Sequence, residues 1–217
     1  LRRLREETGI AVEVLSGEDE ARMTFLAVRR WFGWSTGRLL VIDIGGGSLE
    51  LASGIDEEPD IAVSLPLGAG RLTRSHLDGD PPSAEALREL RRYARTQVAE
   101  VTRRIRRVGQ PEIAAGSSKT LKQLARIAGA APSSDGIYVR RTLTLPDLQS
   151  TVRKLAGMPA EERARIPGVS EGRAEQLIAG AVVAEAVMEL LEVSELVICP
   201  WALREGVILH RMDGLPS

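Results

Sequence analysis

Three consecutive glycines, Gly45, Gly46 and Gly47, separate two apolar runs at residues 38–44 and 49–55. Short runs rich in Leu, Ile and Val and bounded by glycine read as β-strands, and so close a spacing folds them back as a hairpin. With the turn at Gly46-Gly47, Asp43 opposes Glu50 and Ile44 opposes Leu49. Side chains alternate across a strand, so Ile42, Ile44, Leu49 and Leu51 share an apolar face while Asp43 and Glu50 share the other.

Two carboxylates directly across a strand pair repel one another. The arrangement makes sense beside a cation, and Mg²⁺ or another hard divalent cation takes one or two carboxylates plus waters and phosphate oxygens. The glycines let successive backbone N–H groups converge on an anion, and Ser48 adds a hydroxyl donor. Carboxylates for a metal beside amides for a phosphate are what phosphoryl transfer needs. The plain alternative is a hairpin whose glycines supply positive φ, with Glu50 solvated.

The remainder of the chain reads as a helix ending near Thr8 before Gly9, a short strand at 10–15, and a helix from Ser16 to about Trp31. Ser16 is the expected N-cap, with Asp19 completing a weak capping box; Met23, Leu26, Ala27 and the stem of Arg30 are expected inside. A third strand covers 61–65. Leu87, Leu90, Ala94, Val98, Val101, Ile105 and Val108 recur at spacings of three and four, predicting a long helix that ends at Gly109. A strand at 112–115, a turn at Gly116-Ser117 and a helix at 118–127 follow. Shorter helices punctuated by Pro146, Pro159 and Pro167 lead to a long helix capped by Ser170, then a strand at 196–199 and a helix after Trp201. This order predicts an α/β domain with a mixed sheet and helices on both faces.

A chain of 217 residues, 43% apolar, buries a full core. With 29 basic against 30 acidic residues, the net charge of −1 supplies no global attraction to nucleic acid or membrane. Any polyanion must be met by a local basic site. The single cysteine, Cys199, lies in an apolar run and reads as a buried structural thiol in a reducing compartment. No apolar stretch approaches the ~18 residues a membrane span needs, so a cytoplasmic protein is expected. The opening Leu1-Arg2-Arg3-Leu4 reads as mid-helix, as in a piece of a longer chain.

Ser16-Gly17-Glu18-Asp19-Glu20-Ala21-Arg22, Asp43-Ile44-Gly45-Gly46-Gly47-Ser48-Leu49-Glu50 and Leu203-Arg204-Glu205-Gly206 together resemble the exopolyphosphatase and guanosine pentaphosphate phosphohydrolase family. The similarity runs over almost the whole chain, and 25–34 and 198–206 look closest to short-form actinobacterial exopolyphosphatases. The resemblance implies an actin-like ATPase (ribonuclease H-like) fold, this chain being the second domain of two. Residues 1–35 would then be the end of the first domain and a connecting strand and helix, and 36–217 the C-terminal domain. It implies that Glu20 orients and deprotonates the attacking water, that Asp43 and Glu50 help hold a metal, and that the loop from Gly45 to Ser48 binds the terminal phosphate. Leu49 replaces a threonine common in the family, but it faces away from the acids. No counterpart of the family's first phosphate loop, of the Asp-x-Gly-Ser-Asn type, is present, so this chain is expected to form one wall of the site and to turn over little alone.

Other candidates divide between chemistry and packing. Without the resemblance, Glu20 is an ordinary first-turn acid stabilised by the helix dipole. Gly116, Ser117 and Ser118 form either a second anion loop or a helix cap; they fail the Walker pattern, and Lys119 stands where the family usually has glycine. Arg103, Arg104, Arg106 and Arg107 form a solvated helix face or a track guiding a polyanion at low salt. His76 and His210 stand in no metal-ligand spacing. Trp31 and Trp34 are expected to pack.

The function implied is Mg²⁺-dependent removal of terminal phosphate from polyphosphate, with guanosine pentaphosphate as an alternative substrate. An actin-like or sugar-kinase-type nucleotide-binding module and a non-catalytic polyphosphate sensor are the readings from other classes. Neither nucleic acid nor a membrane is an expected partner; a homodimer is compatible with the sequence.

Overall fold

The computed structural model describes residues 6–9 and 14–214. Residues 6–8 are helical, as expected. Most of the strand expected at 10–15 lies outside the described residues; Val14 and Leu15 are irregular and exposed.

Helix α1 (Gly17–Phe32) starts where Ser16 Oγ accepts the Asp19 N–H at 3.1 Å, a cap of about 1 kcal/mol. Its buried side chains are Ala21, Thr24, Phe25, Leu26, Ala27, Val28 and Arg29. Two expectations are corrected. Met23 is only half-buried, and the arginine in the core is Arg29, whereas Arg30 pairs at the surface with Glu57 and Asp213. Arg29 is tolerated inside because it donates to the carbonyls of Gly33, Gly37 and Gly54, at 3.3, 2.7 and 3.1 Å, where the chain turns.

Strands β1 (Leu39–Ile44), β2 (Leu49–Gly54) and β3 (Ile61–Leu65) form an antiparallel meander. The register is the expected one, Asp43 opposite Glu50 and Ile44 opposite Leu49. Strand β4 (Ile113–Gly116) runs parallel to β1, and β6 (Glu195–Ile198) parallel to β4. A short antiparallel β5 (Thr142–Thr144), which no run of apolar residues announces, closes the edge. The sheet order is β3-β2-β1-β4-β6-β5.

The helices are α2 (Ala69–His76), α3 (Ala84–Arg107), α4 (Lys119–Ile127), α5 (Leu145–Ala156), α6 (Ala160–Ala164), α7 (Glu171–Ala174), α8 (Leu177–Leu190) and α9 (Leu203–Asp213). One sheet face carries Leu40, Ile42, Ile44, Leu49 and Leu51 into the main core against α3, α4, α5 and α8. The other carries Leu39, Val41, Ala52 and Ala62 against Ala21, Phe25 and Val28 of α1 and against Cys199. Cys199 is fully buried and burial pushes its thiol up to about 12, as befits a structural cysteine. The helix expected from Ser170 is broken: α7 stops at Ala174, and α8 begins after Gln176.

Candidate active site

Asp43 is the last residue on the α1 side of β1, so the alternation that buries Leu39 and Val41 against α1 puts Asp43 on the same face. Glu50 stands beside it across the hairpin and is 6% exposed. Gly17, the first residue of α1, lies so close to Ser64 that a Cβ there would come within 2.4 Å of its Cβ and Oγ. Ser64 in turn donates to Glu50 Oε1 at 2.9 Å. That close approach brings Glu20, one turn into α1, near enough to Glu50 for its charge to act on Glu50's carboxyl.

The hairpin is held from behind. Ala69 N–H donates to Gly45 O and Arg71 N–H to Gly46 O, both at 2.9 Å, while Arg71 Nε donates to Gly47 O at 2.8 Å. Gly68 makes this possible, since a Cβ there would overlap the Gly47 and Ser48 backbone at 2.2–2.4 Å. With the carbonyls engaged by α2, the N–H groups of Gly46 and Gly47 have no acceptor among the described residues. None of Gly45, Gly46 and Gly47 has a positive φ, which overturns the plain-turn explanation. A Cβ on Gly46 or Gly47 would meet no protein atom within 4 Å. What the glycines confer is a bare, outward-facing backbone.

The second loop reaches the same place. Ser117 N–H bonds Ile42 O at 3.2 Å, and Ser117 Oγ donates to Asp43 Oδ2 at 2.6 Å. Ser118 caps α4 by accepting the Leu121 N–H at 3.1 Å, and Gly116 leaves room for the Leu121 side chain. Lys119, the conspicuous residue of the motif, is exposed. The cation that reaches the site is Lys122, whose Nζ donates to Pro200 O at 2.8 Å.

Burial raises the carboxyl of Asp43 above its ordinary range, against the Ser117 hydrogen bond and the charges of Lys122 and Arg173. Burial likewise raises Glu50, helped by the charges of Asp43 and Glu20 and opposed by hydrogen bonds from Ser48 and Ser64. Burial lowers Lys122, opposed by Cys199, Glu205 and Asp43. Three carboxylates and the cations Lys122, Arg173 and Arg71 thus gather at one end of β1. Sequence reasoning missed Lys122, Arg173, Arg71 and Ser64. Lys122 alone left a signal, lying one helical turn beyond Ser118, to whose carbonyl its N–H bonds.

Among the described residues no three His, Cys, Asp or Glu are placed to enclose a metal ion. The arginines from Arg103 to Arg107 lie away from this site, at the opposite end of β1: their helix leads to Gly109, packed on Arg38. Arg106 is paired there with Glu192 and bonded to Leu190 O. Trp31 packs against Tyr138 and Trp201, with ring centroids 5.5 Å apart in each case, whereas Trp34 is exposed, contrary to expectation.

The sequence profile of the Ppx/GppA phosphatase family matches residues 1–214. The chain belongs to that family. Exopolyphosphatase 1 of Mycobacterium tuberculosis is 53% identical over 214 residues, covering 99% of this chain and 62% of the mycobacterial protein. The Mycobacterium leprae protein of the same name is 50% identical, covering 99% of this chain and 63% of its own length. This chain therefore spans less than two thirds of these Ppx/GppA relatives. Among solved structures, an exopolyphosphatase from Cytophaga hutchinsonii superposes with a TM-score of 0.85 at 25% identity, over 99% of this chain and 70% of that one. A Ppx/GppA family member from Aquifex aeolicus gives 0.83 at 25% identity, over 100% and 70%. The mixed sheet flanked by helices is the actin-like architecture of these Ppx/GppA phosphatases. No described helix is long and apolar enough to cross a membrane.

Proposed function

We propose that this chain contributes the hydrolytic wall of an exopolyphosphatase, which releases orthophosphate from the end of inorganic polyphosphate. The observation that carries the reading is the hairpin. Its carbonyls are engaged by α2, the Gly46 and Gly47 N–H groups have no acceptor among the described residues, and Glu20, Asp43 and Glu50 stand beside it. The terminal phosphate sits on the N–H groups of Gly46 and Gly47 and on Ser48, with Ser117, Lys122 and Arg173 at its flank. Water attacks the terminal phosphorus, Glu20 takes the proton, and the shortened polyphosphate leaves. General-base assistance of this kind contributes about 10²–10⁴-fold. Aligned amides that meet charge as it develops contribute on the order of 10²–10³-fold per donor.

The donor set also suits a divalent cation. Asp43 and Glu50 are two adjacent carboxyls raised by burial, Glu50 also by the charges of Asp43 and Glu20, and Ser117 and Ser64 each satisfy one oxygen. Two carboxylates completed by water and phosphate oxygens are an ordinary Mg²⁺ set. A cation held there would neutralise phosphate charge and polarise the phosphoryl group. A cytoplasmic setting fits the lone buried Cys199.

Phosphate release by the full-length protein, compared on polyphosphate, guanosine pentaphosphate and ATP, tests the reading. Glu20→Gln is expected to lower release from polyphosphate by about 10²-fold or more. Hydrolysis unchanged in that variant would overturn the role of Glu20. Preference for ATP would move the chain to the nucleotide-binding reading.

A further inference from the structure

Arg173 is carried by a helix too short to hold it. Helix α7 is four residues long, and an isolated helix shorter than about 12 residues is marginal in water. Its geometry is therefore imposed from outside. At its start, Gln123 Nε2 of α4 donates to Ser170 Oγ at 2.9 Å. At its end stands Arg163, a residue that neither the hairpin nor the proposed chemistry employs.

Arg163 is 1% exposed. Its guanidinium donates to Ala174 O at 3.0 Å and Glu175 O at 3.1 Å from Nη1, to Met158 O at 2.8 Å from Nε, and to Asp80 Oδ1 at 2.8 Å from Nη2. The other oxygen of Asp80 accepts the Ala160 N–H at 2.6 Å, fixing the counter-ion to the start of α6. The two carbonyls grasped by Nη1 lie immediately after Arg173, at the break between α7 and α8. A planar fork with donors in fixed directions can hold two successive carbonyls and a carboxylate together, and an ammonium cannot. Ala174 is buried and its neighbour Arg173 is half-buried, close enough to Asp43 for its charge to act on that carboxyl.

We infer that Arg163 is a positioning residue: by clamping the carbonyls of Ala174 and Glu175 it sets the direction in which Arg173 meets the bound polyphosphate. This rests on the proposed exopolyphosphatase reading. Arg163 touches no substrate; it acts through Arg173.

The test is a pair of variants in the full-length protein, read as KM and kcat for polyphosphate, with thermal melting to confirm folding. Arg173→Ala is expected to raise KM about tenfold, the scale of one charge-assisted contact. Arg163→Lys keeps the charge opposite Asp80 but loses the fork; it is expected to raise KM about threefold to tenfold with kcat nearly unchanged. Residues acting in series are not additive, so Arg163→Lys should add nothing to KM once Arg173 is Ala.

Multiplying effects in the double variant would overturn the inference, as would an unchanged KM in Arg163→Lys or in Arg173→Ala. Asp80→Asn, which leaves the fork intact but removes its counter-ion, is the milder second probe should Arg163→Lys fail to fold. It is expected to show a smaller rise in KM, again abolished in the Arg173→Ala background; a rise that persists there overturns the inference. Failure of the exopolyphosphatase reading looks different, because the unsubstituted protein would then release no phosphate from polyphosphate.

Discussion

At the scale of single residues the site is costly to fold. Glu50 is buried beside Asp43 and within reach of the charge of Glu20, and its carboxyl is raised above the ordinary range. A carboxyl that holds its proton more tightly when folded makes the folded state bind more protons than the unfolded one. Stability then falls as pH rises from the usual carboxylate range near 4.3 through the raised value, and is level above it. Glu50→Gln keeps the shape and the acceptor for Ser64 but removes the charge. We expect it to raise stability at neutral pH by about 1 kcal/mol, or roughly 2–4 °C in Tm for a chain of this size. It should also flatten the decline of stability with pH while abolishing phosphate release. Melting curves of the two proteins between pH 4 and 8 check this; a less stable Glu50→Gln protein at pH 7 would show that the carboxylate is not strained.

At the scale of elements, close backbone approach decides where the residues stand. Gly68 seats α2 on the hairpin, Gly17 seats α1 on β3, and Gly206 seats α9 on α1. A Cβ at Gly206 would lie 1.8 Å from Met23 O and 2.6 Å from Met23 C, backbone atoms that no rotamer change moves. Gly206→Ala must push α9 off α1, at a cost of about 1–3 kcal/mol. Because α1 carries Glu20, kcat should fall too, and a shift of ~1 Å can cost as much as 10²-fold. A lowered Tm with normal kcat would mean that α9 supports α1 without aligning it.

These contacts also show what could be read beforehand. The hairpin, its register and the shared face of Asp43 and Glu50 followed from alternation alone, because a buried face permits only one register. The long helix over Leu87–Ile105 was equally legible from its period. The break after Ala174 was not: the two carbonyls there accept from the buried Arg163, on a separate short helix. Arg29 and Arg163 are inside for the same non-local reason, since a buried guanidinium needs acceptors that only the tertiary fold assembles. Lys122 lay hidden behind the louder Lys119. Glu20 acquired its candidate role through resemblance, and only the contact of Gly17 with Ser64 supplies a physical reason for its nearness to Glu50.

At the scale of the whole molecule, charge is sorted along β1. The net charge is −1, yet Lys122, Arg173 and Arg71 collect at one end of the strand and the arginines of α3's last turns at the other. From Leu39 to Asp43 the strand rises roughly 13 Å at about 3.3 Å per residue. That exceeds the Debye length of about 8 Å at physiological ionic strength, so exposed charges at the far end are screened from the proposed phosphate site. Helix α3 also gains from cations at its C-terminus, where they meet the negative end of the dipole; this accounts for the cluster without any substrate. Reversing Arg103, Arg104 and Arg107 to Glu should therefore change kcat/KM for short polyphosphate less than about twofold at 0.15 M salt. The same charge reversal at Arg173 alone should lower it by tenfold or more, because it sets a negative charge beside the buried Asp43 carboxyl and removes one of the cations gathered there. A tenfold loss from the α3 triple variant on short chains would place the arginine cluster within the binding site and refute the sorting of function along the strand. A loss confined to long chains would show that only a polyanion long enough to span the sheet senses it.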